Sequence, residues 1–107
     1  PWAPLAGPYR DWRWAVRSLS FSRDGRTLAS AGNVGNVHLW DVRNGQLLRR
    51  IAVGQPVTAT AFHPAGRLLA SGCADGRILF HEAASGELRG TIHRPPGAFL
   101  SLAFSPD

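Results

Sequence analysis

Lysine is absent from the sequence, and cysteine occurs once, at Cys73. A single thiol excludes an internal disulfide, so the fold must hold by packing alone, and a reducing compartment such as the cytoplasm is expected. Every cationic side chain is therefore an arginine, and the formal charge is +5. These arginines are scattered and form no run or stripe of the kind that tracks a nucleic-acid backbone. The excess reads as the codon bias of GC-rich coding DNA, which favours Arg, Ala, Gly and Pro. Long hydrophobic runs are missing too. None approaches the roughly 18 apolar residues of a helical membrane span, so no membrane partner is expected.

Catalytic signatures are equally scarce. His81-Glu82 opens like a zinc-protease motif, but the second histidine is missing, because position 85 is Ser85, and the pair falls on an expected strand. His38, His63, His81 and His93 could share a metal only if folding collected them, and two of them match unlike residues in the repeat described next. No serine lies in a nucleophile elbow. Gly32-Asn33-Val34-Gly35 lacks the spacing and the following helix of a phosphate loop. Cys73 ends an apolar strand and reads as a small core residue. No catalytic residue, cofactor or metal is expected.

What the sequence does contain is a repeat. SLSFSRDGRTLASAG at 18–32 returns as ATAFHPAGRLLASGC at 59–73, and Phe21 matches Phe62 at an offset of 62 − 21 = 41. The same offset carries Gly25 to Gly66, Leu28 to Leu69, Ser30 to Ser71, Gly35 to Gly76, Val37 to Ile78 and Ile51 to Ile92. A third copy opens at Phe99 as FLSLAFSPD, offset by 99 − 57 = 42 from Val57. A period of roughly 40 to 45 residues is that of propeller blades with four strands each.

Each period divides into four segments of strand length and alternating polarity. In the first they run from Val16 to Ser22, Thr27 to Ala31, Val37 to Val42 and Gln46 to Ile51. In the second they run from Val57 to Phe62, Arg67 to Gly72, Arg77 to Glu82 and Glu87 to Ile92. Asp24-Gly25, Asn44-Gly45, Ala65-Gly66, Asp75-Gly76 and Ser85-Gly86 supply turn chemistry between them, including residues that accept positive φ. Apolar residues, 44% of the sequence, come in short runs broken by Gly and Pro, as in an all-β chain.

SFSRDGRTLASAG followed by VHLWDVRNGQLL, with its Trp40-Asp41 dipeptide, resembles the WD40 repeat. The resemblance implies an all-β fold of four-stranded antiparallel blades of a WD40-type β-propeller, left open in this chain. Residues 1–13 are expected to close a preceding blade, with repeats at 14–54 and 55–94 and the first strand of a third at 95–107. The family's pattern begins one strand before a blade ends, so repeats and blades should be out of step. Two blades cannot close a ring of roughly four to eight, so bare sheet faces and a fragment of a longer chain are expected. Other blades of a parent chain, or copies of this one, would complete it.

The family's hydrogen-bonded His, Ser/Thr, Asp and Trp tetrad survives only in part. Ser30 and Trp40 remain in the first repeat, where Val34 replaces the Asp and Trp12 falls near the His position. Ser71 and Asp75 remain in the second, where His81 replaces the Trp. Blades held mainly by packing follow. The resemblance also implies a binding role on one propeller face, with other proteins as partners. The family's exposed positions fall on Ala15, Arg17 and Asn33 in the first repeat and on Pro56, Thr58 and Ala74 in the second, beside Trp12 and Trp14. Aromatic and Arg side chains anchor interfaces, which singles out Trp12, Trp14 and Arg17. The alternatives are a sensing arm of a multidomain enzyme, such as a protein kinase, and nucleic-acid binding through the Arg and Trp residues of 9–17.

Overall fold

The computed structural model describes residues 16–93 and 95. They form eight strands: β1 (Val16–Phe21), β2 (Thr27–Gly32), β3 (Asn36–Asp41), β4 (Leu47–Ala52), β5 (Val57–Phe62), β6 (Leu68–Cys73), β7 (Arg77–Glu82) and β8 (Leu88–His93). All strand ends lie within one residue of the segments read from polarity. Gln46 and Glu87, expected to open strands, are held in turns instead. The Gln46 amide donates to Asn44 Oδ1 at 2.9 Å, and the Glu87 amide donates to Ser85 Oγ at 3.2 Å.

The strands make two antiparallel meanders, β1-β2-β3-β4 and β5-β6-β7-β8. Their repetition extends to irregularities that polarity does not reveal. The β1/β2 register shifts between Val16 and Ser18, and the β5/β6 register shifts between Val57 and Ala59. Likewise the β3/β4 shift between Leu39 and Trp40 returns in β7/β8 between Phe80 and His81. Each bulge adds local twist to its sheet. Among the described residues positive φ belongs to glycines alone. Asp24 and Asn44 serve their turns through their side chains: Asp24 Oδ1 accepts from the Arg26 amide at 3.0 Å, as Asn44 Oδ1 does from Gln46. Gly25 and Gly45 supply the left-handed step, at φ 74 and 73.

Pairing register assigns the faces of each sheet. In the first, Ser18, Ala31, Val37 and Ile51 share one face with Ser20, Ala29, Leu39 and Arg49, because these rows are aligned partners across the four strands. In the second, Thr60, Ser71, Leu79 and Thr91 share a face with Phe62, Leu69, His81 and Leu88. These two faces meet. Ala29, Val37, Leu39, Ile51, Val57 and Leu69 form one buried cluster, with Phe62 and Ala83 packed against it. Ser18 Oγ lies 2.8 Å from Thr60 Oγ1 and accepts from the Thr60 amide at 2.9 Å, a polar tie between the innermost strands.

The stacking is head to tail. The row of the first sheet that corresponds to Phe62, Leu69, His81 and Leu88 is Phe21, Leu28, Trp40 and Leu47, and it lies on the side turned away from the second sheet. Phe21 is 59% exposed and Leu19 63% exposed there.

Candidate functional site

Antiparallel order sorts the loops onto two ends. The β2–β3 turn, the β4–β5 connection and the β6–β7 turn share the end at which β1 and β5 begin, here termed the entry end. The β1–β2, β3–β4, β5–β6 and β7–β8 turns share the exit end.

The entry end holds the positions singled out for partner binding. Exposed Arg17 at the start of β1 donates from Nε to Asn33 Oδ1 at 2.7 Å, so the turn after β2 orients the guanidinium. In the second sheet the Ala74 amide donates to the Pro56 carbonyl at 3.1 Å, and Thr58 Oγ1 donates to the Gly72 carbonyl at 3.4 Å. Each repeat thus gathers its own positions. The Gly35 carbonyl accepts from the Val53 and Gly54 amides at 2.9 and 3.0 Å, fastening the first sheet's turn to the connection that leads into Pro56. Gly35 is favoured there by its left-handed backbone, at φ 85. Trp12, Trp14 and Ala15 lie outside the described residues.

Beneath this surface the two copies of the tetrad position diverge. In the first sheet Trp40 Nε1 donates to Ser30 Oγ at 2.9 Å, and His38 stacks on the indole at 5.9 Å between centroids. In the second, Ser71 is fully buried and His81 is 5% exposed, and neither Ser71 Oγ nor His81 Nδ1 has a hydrogen-bond partner among the described residues. An imidazole is shorter than an indole, which accounts for the lost contact. Asp75 does not join Ser71. It turns to Arg77, accepting from the backbone amide at 3.1 Å and from Nε at 2.7 Å. The Arg77 amide is the main cause of a carboxyl pKa below the ordinary value. Packing therefore carries the second blade, and its tetrad residues are not linked.

The remaining chemistry-bearing groups are subdued. Burial pushes the Cys73 thiol up, away from the thiolate that a nucleophile needs. Burial also lowers the pKa of His81, favouring neutral imidazole. No group of three or more His, Cys, Asp or Glu side chains is placed to hold a metal among the described residues.

Stacked four-stranded antiparallel sheets, repeated head to tail at a fixed offset, define an arc of a β-propeller. Two family models match the sequence: the anaphase-promoting complex subunit 4 WD40 domain over residues 10–62, and the WD domain, G-beta repeat, over residues 45–82. The chain belongs to the WD40 repeat family. The second match takes in β4 together with β5, β6 and β7, and so runs from the first sheet into the second.

Telomerase protein component 1 of Mus musculus is 30% identical over 93 residues, covering 87% of this chain and 4% of that protein. WD repeat-containing protein 3 of Homo sapiens is 32% identical over 92 residues, covering 86% of this chain and 10% of that protein. The solved structure of U3-55K matches at a TM-score of 0.78 and 27% identity, covering 84% of this chain and 30% of that one. The chain thus spans a tenth or less of these two relatives' length.

Proposed function

We propose that the chain is part of a protein-interaction platform that presents the entry end of its blades to partner proteins. The observation that carries this reading is the exposed Arg17 guanidinium held by Asn33. Among the described residues only its Nε is engaged, which leaves the terminal nitrogens of a pre-oriented fork for a partner's carboxylates or carbonyls. Backbone bonds from Gly35 to the β4–β5 connection, and from Ala74 to Pro56, stiffen the surroundings. Binding to a stiff surface sacrifices little conformational entropy. Pro56, Thr58 and Ala74 extend the surface over the second blade, and Trp12, Trp14 and Ala15 adjoin it in sequence. The short span relative to the relatives fits a platform within a longer protein.

Affinity capture from cell extract tests this, comparing the chain with an Arg17→Ala/Asn33→Ala variant of unchanged circular dichroism. Partners captured by the former and lost by the latter support the proposal. Equal capture by both contradicts the entry-end assignment.

A further inference from the structure

A groove of about 870 Å³ opens at the exit end, between the back of the first blade and the turns of the second. Its volume falls within the usual range for ligand sites. Its position follows from a difference between the repeats. At the offset of 41, the exit-end residues Arg23, Asp24, Val42 and Arg43 become Pro64, Ala65, Ala83 and Ala84. Every charged side chain that the first blade carries at these four turn positions is replaced in the second by a small or cyclic apolar one. The wall that the second blade contributes is therefore short and uncharged.

Leu39 and Phe62 line the apolar part of the groove, and Leu48 borders it while remaining 54% exposed. The charged groups are Arg23, Arg49 and Asp24. Asp24 is occupied within its own turn, accepting from Ser22 Oγ at 2.6 Å and from the Arg26 amide at 3.0 Å. Neither arginine forms a side-chain hydrogen bond or ion pair among the described residues. Arg49 is held in place by packing: a Cβ at Gly86 would come within 3.0 Å of its Cδ, so the stem lies against that glycine. An apolar trough flanked by two guanidiniums against the single turn-bound Asp24 carboxylate is net positive, and complements a ligand with one large apolar side chain and carboxylates beside it.

We propose that this groove is a second partner-binding site, taking a short acidic segment of a partner protein. An aliphatic or aromatic side chain of that segment packs against Phe62 and the alanine wall, and its neighbouring carboxylates meet Arg23 and Arg49. The site uses none of the entry-end residues and does not rest on their assignment.

A displayed library of random decapeptides, selected against the whole chain, supplies the probe. Enriched peptides are synthesised with a fluorophore and titrated by anisotropy against the chain and two groove variants. Ala65→Asp restores the residue that the first blade carries at Asp24, sets a carboxylate on the groove wall and sits at an exposed turn, so the fold tolerates it. Arg49→Glu reverses one of the two charges. The expected result is enrichment of an apolar residue flanked by Asp or Glu, with binding weakened about tenfold or more by each variant and weakened by added salt. The Arg17→Ala/Asn33→Ala variant is expected to bind these peptides unchanged, which separates failure here from failure of the entry-end proposal. No enrichment, enrichment without acidic residues, or affinities within about twofold in both groove variants would overturn it.

Discussion

Replacing the same serine in each repeat by alanine should lower stability in the first repeat and leave it unchanged or raise it in the second. Ser30 Oγ receives the indole N–H of Trp40 at 2.9 Å. Ser30→Ala removes that acceptor at a half-buried site that water can reach, and the loss should be about 0.5–1.5 kcal/mol. Ser71 Oγ, at the equivalent position, is fully buried and has no hydrogen-bond partner among the described residues. Its hydroxyl was desolvated on folding with nothing in return, so Ser71→Ala should be neutral or should stabilise by up to about 1–3 kcal/mol. Since about 1 kcal/mol shifts the midpoint of a domain this size by roughly 4–8 °C, Ser30→Ala should melt below the parent and Ser71→Ala at or above it. Urea melts with an unchanged m-value would confirm that stability is what moved. Destabilisation by Ser71→Ala as large as that by Ser30→Ala would refute the reasoning, because it would mean that the Ser71 hydroxyl is satisfied in the fold.

Other expectations follow from the same contacts. Leu39 is 2% exposed in the cluster between the sheets, so Leu39→Ala should cost about 2–5 kcal/mol, read from the urea midpoint. Burial holds the His81 pKa below its ordinary value, and His38 is lowered likewise by burial and then by Arg50. Below the unfolded value of about 6.5 the unfolded chain binds these protons more readily, so stability is present above that pH and falls as pH drops through it. A His81→Phe variant should lose less urea resistance than the parent between about pH 7.5 and pH 5.5. Gly35→Ala meets a left-handed backbone, worth about 1–2 kcal/mol, with only ordinary van der Waals contact to Gln55. Gly25→Ala shares the backbone term in open space, so the two should lower the melting temperature by similar amounts.

The strands were legible in the sequence because alternation with period two and glycine-marked turns are local signals, and a 41-residue offset copies them twice. Register was less legible. The bulges at Val16/Ser18 and Leu39/Trp40 leave no mark in polarity, since an extra residue in an otherwise alternating strand resembles ordinary variation. At the entry end, family positions named Arg17 and Asn33 separately. Their hydrogen bond depends on the β1/β2 pairing and lay beyond a one-dimensional reading. Ser71, Asp75 and His81 show the opposite limit. Residue types fitting a network were present, yet the short imidazole and the nearby Arg77 left Ser71 unlinked. The exit-end groove was missed because its signal is a loss, the change of Asp24 and Arg43 to Ala65 and Ala84 between repeats, whereas motif reading looks for what is retained.

Both proposed surfaces depend on the order in which the two sheets stack, and nuclear Overhauser contacts measure that order directly. The account predicts cross-peaks between Ser18 and Thr60 and between Leu39 and Phe62, with none from the Trp40 indole to any residue of the second sheet. Contacts joining Trp40 or Phe21 to residues 57–93 would contradict it, since the first sheet would then present its other face to the second.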